Sequence, residues 1–292
     1  MRAKTIYGLM VMSALFWAGA FIAAKLSAPY ITPFTLTFLR FSIATVILYF
    51  VLKYHFKTDL VITKKDIPSF LFTGIVGMFG YHVLFFIAMK HTTAINSSLI
   101  AASNPILTTI FSIIILKDSP SYKRILGILL SFTGVVLTIT NGNIGNLFSL
   151  KFNLGDIIML LAVLMWGIYS VFSKRIMPKY NPFLITFYSF LICTIFIIPL
   201  VILENPFGYF KDVPFFSIAA VIYMAIFPTV IGYLVQQISI KEIGPSKTSI
   251  FVNLVPIFSI ILSILILNET ISWVKLSFAL LIISGVYITQ IN

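Results

Sequence analysis

The sequence predicts an all-α integral membrane protein of ten transmembrane helices, arranged as two inverted five-helix repeats with both termini cytoplasmic. Three observations lead there. Hydrophobic residues make up 60% of the 292 and charged residues only 10%, against roughly 25% charged in a soluble domain. Apolar runs of about 20 residues, the length of a bilayer crossing, recur from end to end. Side chains of the first half also return in the second, displaced by 149 to 151 positions.

The first run, Ile6 to Ala24, follows Arg2 and Lys4 and so resembles a signal peptide. It is long for one, and it recurs as the sixth run, Leu154 to Ser173. Trp17 falls on Trp166, Lys25 on Lys174, Pro29 on Pro178 and Pro33 on Pro182, so it reads as a retained helix. The second run, Phe34 to Leu52, carries Arg40. The third, Ile67 to Met89, carries His82 and the glycines Gly74, Gly77 and Gly80, which mark a close-packing or bending segment.

The fourth run, Ala94 to Leu116, has a proline near its middle, and the ninth, Pro245 to Leu267, repeats it. Ser98 matches Ser249, Pro105 matches Pro256, Ser112 matches Ser263 and Asp118 matches Glu269. Proline removes a backbone donor and clashes with the carbonyl four residues earlier. Matched interrupted helices in two halves point to a transporter's binding site. Small and hydroxyl residues recur along both helices at spacings of three and four (Ala94, Ser98, Ala101, Thr108 in the first copy). Such a stripe permits close helix contact. Gly77, Pro105 and Pro256 therefore read as hinge and packing positions beside a cavity.

The fifth run, Ile125 to Thr140, and the tenth, Leu276 to Gln290, share Gly134 and Gly285. Asn141 to Asn153 is the linker, leaving 1–140 and 154–292 as the repeats. The seventh run is Phe183 to Leu203 and the eighth Phe215 to Ile240. Fourteen of the twenty Lys and Arg fall in the loops on the N-terminal side of the membrane, five on the other, and Arg40 lies within a span. That bias places the N-terminus inside. Five spans per half then invert the second copy relative to the first.

The sequence resembles the drug/metabolite transporter superfamily, specifically its EamA-like members. FWAGAFIAAK at Phe16 to Lys25, LRF at Leu39 to Phe41 and the Pro105 and Pro256 helices carry the resemblance. The closest match runs from Leu254-Val255-Pro256 through Asn268-Glu269. Asp118 stands where the family more often shows Glu. The resemblance implies ten helices, alternating access and a small-metabolite substrate. It also makes Arg40 look like scaffold. About six residues from the outer end of its span, roughly 9 Å deep at 1.5 Å per residue, Arg40 snorkels, bonds to another helix or meets a substrate carboxylate.

Candidate substrate-binding residues are those with polar or aromatic chemistry inside spans. His82 is the histidine deep in a span, and its register partner is Tyr233. Gln237 lies one helical turn beyond Tyr233 and is preferred to its neighbour Gln236. Trp17 and Trp166 sit well inside their spans, with Tyr169 on the same face as Trp166. Asn253 precedes Pro256 by three residues and offers an amide. Trp273, at a span end, reads as an interfacial anchor.

These features predict a secondary transporter in the cytoplasmic membrane, exporting small polar or amphipathic metabolites such as amino acids. The alternative is a lipid or lipid-linked-sugar flippase on the same scaffold. None of the eight acidic residues lies mid-span, which leans toward uniport or weak coupling. An enzyme is not expected: there is no G-x-S-x-G, no H-E-x-x-H and no intramembrane carboxylate pair. The net charge of +12 comes without a basic cluster interleaved with aromatics, so nucleic acid is not expected. Cys193 is the sole cysteine, leaving neither a disulfide nor a thiolate metal site. The expected partners are a small-molecule substrate and membrane lipids, with no cofactor or metal, and the chain as monomer or homodimer.

Overall fold

A computed structural model describes residues 3–55, 57, 60–116, 121–143, 153–208, 210–243 and 251–290. Asp118, most of the expected linker and the start of the ninth span, from Pro245 to Ile250, lie outside them. So do the loop cations Arg2, Lys117, Lys151 and Lys247, and the side chains of Pro105, Ser112 and Asn253.

Every regular element among the described residues is helical. The first half contains α1 (Ala3–Ser27), α2 (Pro33–His55), α3 (Ile67–His91), α4 (Ala94–Ala101), α5 (Asn104–Leu116) and α6 (Tyr122–Ile139). The second contains α7 (Leu154–Ile176), α8 (Pro182–Glu204), α9 (Phe215–Ser239), α10 (Leu254–Leu267) and α11 (Trp273–Gln290). Six of these, α1, α2, α3, α7, α8 and α9, are long and apolar enough to cross a membrane. Shorter apolar helices, Ile125–Thr138, Leu254–Leu267 and Trp273–Gly285, occupy the fifth, ninth and tenth runs.

Local chemistry sets the helix ends. Pro33 and Pro182 open α2 and α8 in the first turn, where the missing N–H costs no helical bond. Thr93, Asn153 and Asn181 cap α4, α7 and α8 by accepting from the backbone N–H groups of Asn96, Gly155 and Phe183. Glu204, at the end of α8, accepts from Phe34 N (3.1 Å) and Thr35 N (2.7 Å), so a carboxylate of the second half satisfies the start of α2. Glu269 does the same for α4, accepting from Ala94 N and Ile95 N at 2.9 and 3.1 Å. Lys25, in the last turn of α1, donates to the carbonyls of Met89 (3.1 Å) and Thr92 (2.5 Å) where α3 ends.

The two prolines differ from the kinked, continuous helix expected. Pro105 is the second residue of α5, and a turn at Ala102–Ser103 separates that helix from α4. Pro256 is buried in the first turn of α10, after a 3-10 turn at Phe251–Asn253. Proline is tolerated in a first turn, so each one starts a helix instead of bending one. The interruption is real but complete.

Two further irregularities fall in α3 and α9. Residues Thr73–Gly80 and Ala225–Ile231 form π-type turns, the first at the glycine trio and the second at Pro228. A wider turn frees backbone carbonyls and marks functional segments in other helices.

Packing between the halves comes in exchanged pairs. α1 lies against α9 and α10, and α7 against α3 and the α4–α5 pair; α2 meets α8, and α6 meets α11. At the last contact a Cβ on Gly134 would come 2.7 Å from Ile282 Cγ1, and one on Gly285 would come 2.4 Å from Ser131 N. Only hydrogen fits there, so the two backbones touch. The largest core cluster gathers around the small residues of α1, including Ala14, Ala18 and Ala24.

Candidate functional site

The π-type turn of α9 holds two residues that line a cavity, Trp17 and Arg40, through its backbone and the Thr229 hydroxyl. Pro228 has no N–H, and its carbonyl accepts from Trp17 Nε1 at 3.0 Å, fixing the indole across the halves. Thr229, next in the chain, donates its hydroxyl to the Met224 carbonyl at 2.7 Å. The same oxygen accepts from Arg40 Nε at 2.6 Å. An irregular backbone therefore positions both an aromatic and a cation.

Arg40 is 3% exposed, so it does not snorkel; it makes the interhelical bond that was one of its expected roles. Its Nη1 lies 3.3 Å from His82 Nδ1, and His82 Nε2 lies 3.2 Å from the Tyr233 hydroxyl. A guanidinium only donates. Nδ1 of His82 is accordingly the acceptor, and the proton sits on Nε2 and points at Tyr233. The Tyr233 hydroxyl proton remains available. His82 and Tyr233, register partners 151 positions apart, are thus in direct contact.

The cavity is about 90 Å³ and lies between the halves. α1 contributes Trp17, Ala20 and Phe21; α2 contributes Arg40; α3 contributes Tyr81, His82 and Phe85. Ala101 and Asn104 line it from the two sides of the proline break, and Trp166, Tyr233, Gln236, Val252 and Val255 come from the second half. Rings dominate the wall. Trp166 lies 4.9 Å from Tyr81 and 5.4 Å from Tyr233, centroid to centroid.

Four of the residues expected to bind substrate, Trp17, His82, Trp166 and Tyr233, line this one cavity. Tyr169 stands behind Trp166 at 5.2 Å, buried rather than lining. Its ring packs on Gly77, where a Cβ would come within 2.2 Å, so Gly77 is a packing position. Gln237 is 3% exposed and its Oε1 has no hydrogen-bond partner among the described residues; Gln236 lines the cavity instead. Asn253 belongs to the 3-10 turn before α10, adjoining the lining residue Val252.

Sequence reasoning gave Arg40 to the scaffold and did not single out Tyr81, Phe21, Phe85 or Thr229. Arg40 carried a signal, being an ionisable residue inside a span. The phenylalanines carried none in a chain with 29 of them. Among the described residues, no three His, Cys, Asp or Glu side chains gather to hold a metal ion.

Beside the two ends of α3, polar clusters tie the halves together. Asp156 is fully buried at the start of α7 and accepts from Thr92 Oγ1 (2.5 Å) and Asn96 Nδ2 (3.1 Å). Lys275 donates to Asn96 Oδ1 at 3.0 Å. Asp66, before α3, accepts from Thr63 N, from Tyr180 Oη at 2.8 Å and from Lys179 Nζ at 3.0 Å. The Thr63 backbone bond, then the Tyr180 and Lys179 bonds, hold its carboxyl well below the usual carboxylate range.

A family model described as the EamA-like transporter family matches the chain twice, over residues 4–140 and 153–291. The uncharacterized transporter YyaM of Bacillus subtilis (strain 168) is 34% identical over 90% of this chain and 86% of its own length. An uncharacterized transporter of Archaeoglobus fulgidus is 29% identical over 99% of this chain and 98% of its own. A probable terminal-alkyne amino-acid exporter of Streptantibioticus cattleyicolor is 22% identical over 91% and 86%. A solved crystal structure shares the fold, with a TM-score of 0.67 and 20% identity over 99% of this chain and 96% of that one.

Proposed function

This chain belongs to the EamA-like transporter family, and from that membership we propose a carrier that exports small polar or amphipathic metabolites, amino acids among them, by alternating access. It is a multi-pass membrane transporter. The finer reading has ten spans in two inverted halves, 1–140 and 154–292, with both termini cytoplasmic, in the cytoplasmic membrane.

The observation that carries this reading is the cavity between the halves. Its residues come from both copies, and its volume of about 90 Å³ holds about six to nine waters at 10–15 Å³ each. That suits a small metabolite better than a lipid headgroup with its chains, which weighs against the flippase alternative. The aromatic wall takes the apolar part of a solute. Tyr233, Gln236 and Asn104 offer hydrogen bonds, while Trp17 and Trp166 shape the wall, His82 is bonded to Arg40 and Tyr233, and Tyr169 packs behind Trp166. The name of the distant Streptantibioticus relative gives amino acids their place in the proposal. Among the described residues no carboxylate lines the cavity, which is compatible with uniport or weak coupling.

Flux into proteoliposomes tests the proposal. Saturable uptake of labelled amino acids, competed by unlabelled ones, is the expected outcome. A folded, reconstituted protein that moves no small metabolite would contradict it.

A further inference from the structure

Arg40 is a buried charge with no opposite charge paired to it among the described residues. Its protein partners, Thr229 and His82, are neutral acceptors that use Nε and Nη1. Nη2 makes no hydrogen bond among the described residues, and the side chain lines the cavity. No carboxylate among the described residues forms an ion pair with it. A buried charge held only by neutral groups is costly, and one inside a membrane span is retained where something pairs with it.

We propose that Arg40 anchors the substrate's carboxylate, so that the solute carried is a small amphipathic carboxylate whose apolar body lies between Trp17, Trp166, Phe21 and Phe85. This deepens the carrier reading above and rests on it. The guanidinium is a planar fork suited to a carboxylate. Thr229 fixes Nε, so the orientation of the open edge is set before a ligand arrives. The π-type turn of α9 in turn places Thr229. His82 and Tyr233 act as positioning residues behind the guanidinium. Aromatic walls argue for an organic body on the anion: an inorganic ion would leave those faces without a partner.

The test uses the purified full chain with two matched series: 3-phenylpropanoate with its amide and 3-phenylpropylamine, and hexanoate with its amide and hexylamine. Thermal stabilisation and equilibrium binding are read, with flux in proteoliposomes. The acids should bind at least about tenfold more tightly than their amides and amines, the ratio expected for a charged hydrogen bond. Arg40→Gln should weaken the acids by at least about tenfold and remove their preference over the amides. If that variant does not fold, the acid-to-amide comparison on the wild-type chain still decides.

Equal binding of acid and amide, or retention of acid binding by a folded Arg40→Gln, overturns the anchor while the carrier reading stands. Stabilisation by chloride equal to that by the acids overturns the organic carboxylate. No binding of either acid also overturns the anchor. Uptake of an uncharged or cationic solute by the same vesicles would then preserve the carrier reading, and no uptake of any solute would sink both.

Discussion

Arg40, His82 and Tyr233 form a hydrogen-bonded relay from α2 through α3 to α9, so one substitution is felt in both halves. Tyr233→Phe removes the acceptor of the His82 Nε2 proton. The buried donor left behind should cost about 1–3 kcal/mol, read as a lowered melting temperature, while Thr229 still holds Arg40. Trp166→Ala opens the wall between Tyr81 and Tyr233, and it should raise the KM for transport more than it lowers expression. A KM within twofold of wild type (about 0.4 kcal/mol, from about 1.4 kcal/mol per tenfold) would show that Trp166 only packs. The residues legible in the sequence were those whose chemistry stands out against an apolar background and repeats at fixed displacement, such as Trp17 with Trp166. Helical phase was less legible. Gln236 and Gln237 flank the direction of Tyr233 by comparable angles at 3.6 residues per turn. Which of them faces the cavity depends on the rotation of α9, and tertiary packing sets that rotation.

At the level of elements, the glycine contact between α6 and α11 and the carboxylate caps decide how the halves fit. Gly285→Ala places a methyl 2.4 Å from Ser131 N and 2.6 Å from Gly127 O, both backbone atoms that cannot swing aside. Separation of the helices should cost about 1–3 kcal/mol, the usual range for overpacking, and thermal unfolding in detergent measures it. The clamp at Asp66 gives a pH signature. Its carboxyl is depressed when folded, so its contribution is complete above the unfolded value near 3.9 and is lost as pH falls through the lower folded value. Lys179 is raised by its bonds to Tyr180 and Asp66; its contribution is complete below about 10.4 and is lost as pH rises past its folded value. The melting-temperature gap between wild type and Asp66→Asn should therefore be flat from about pH 5 to pH 9 and close in acid. High salt should shrink it, since Lys179 is largely exposed. A gap that widens in acid would contradict the assignment. Helix existence and order were legible because apolar runs and first-turn prolines are local signals. The completeness of the break at Pro105 was not, because proline permits either a kink or a fresh start and neighbouring helices choose between them.

For the whole molecule, the proposed inverted symmetry makes specific sense of which residues touch. A residue that contacts its own counterpart lies on the axis relating the halves, and His82 with Tyr233 does so at the cavity. Gly134 and Gly285 lie in the paired helices α6 and α11, where each glycine admits the other helix. The Asp156 cluster near one end and the Asp66 cluster near the other join opposite halves, so rocking would break one and keep the other. The repeat was legible from sequence; the closeness of the matched residues was not, since displacement along a chain says nothing of distance. In the proposed carrier the cavity between the halves opens to each side in turn. Cysteine accessibility at Ala101, which lines the cavity from the proline break, tests it most directly. The single native cysteine, Cys193, is buried and contributes little background. In oriented membranes, Ala101→Cys should react with an impermeant thiol reagent added to either side, and a transported solute should protect it from both. Reaction from one side only, unchanged by solute, would contradict the account.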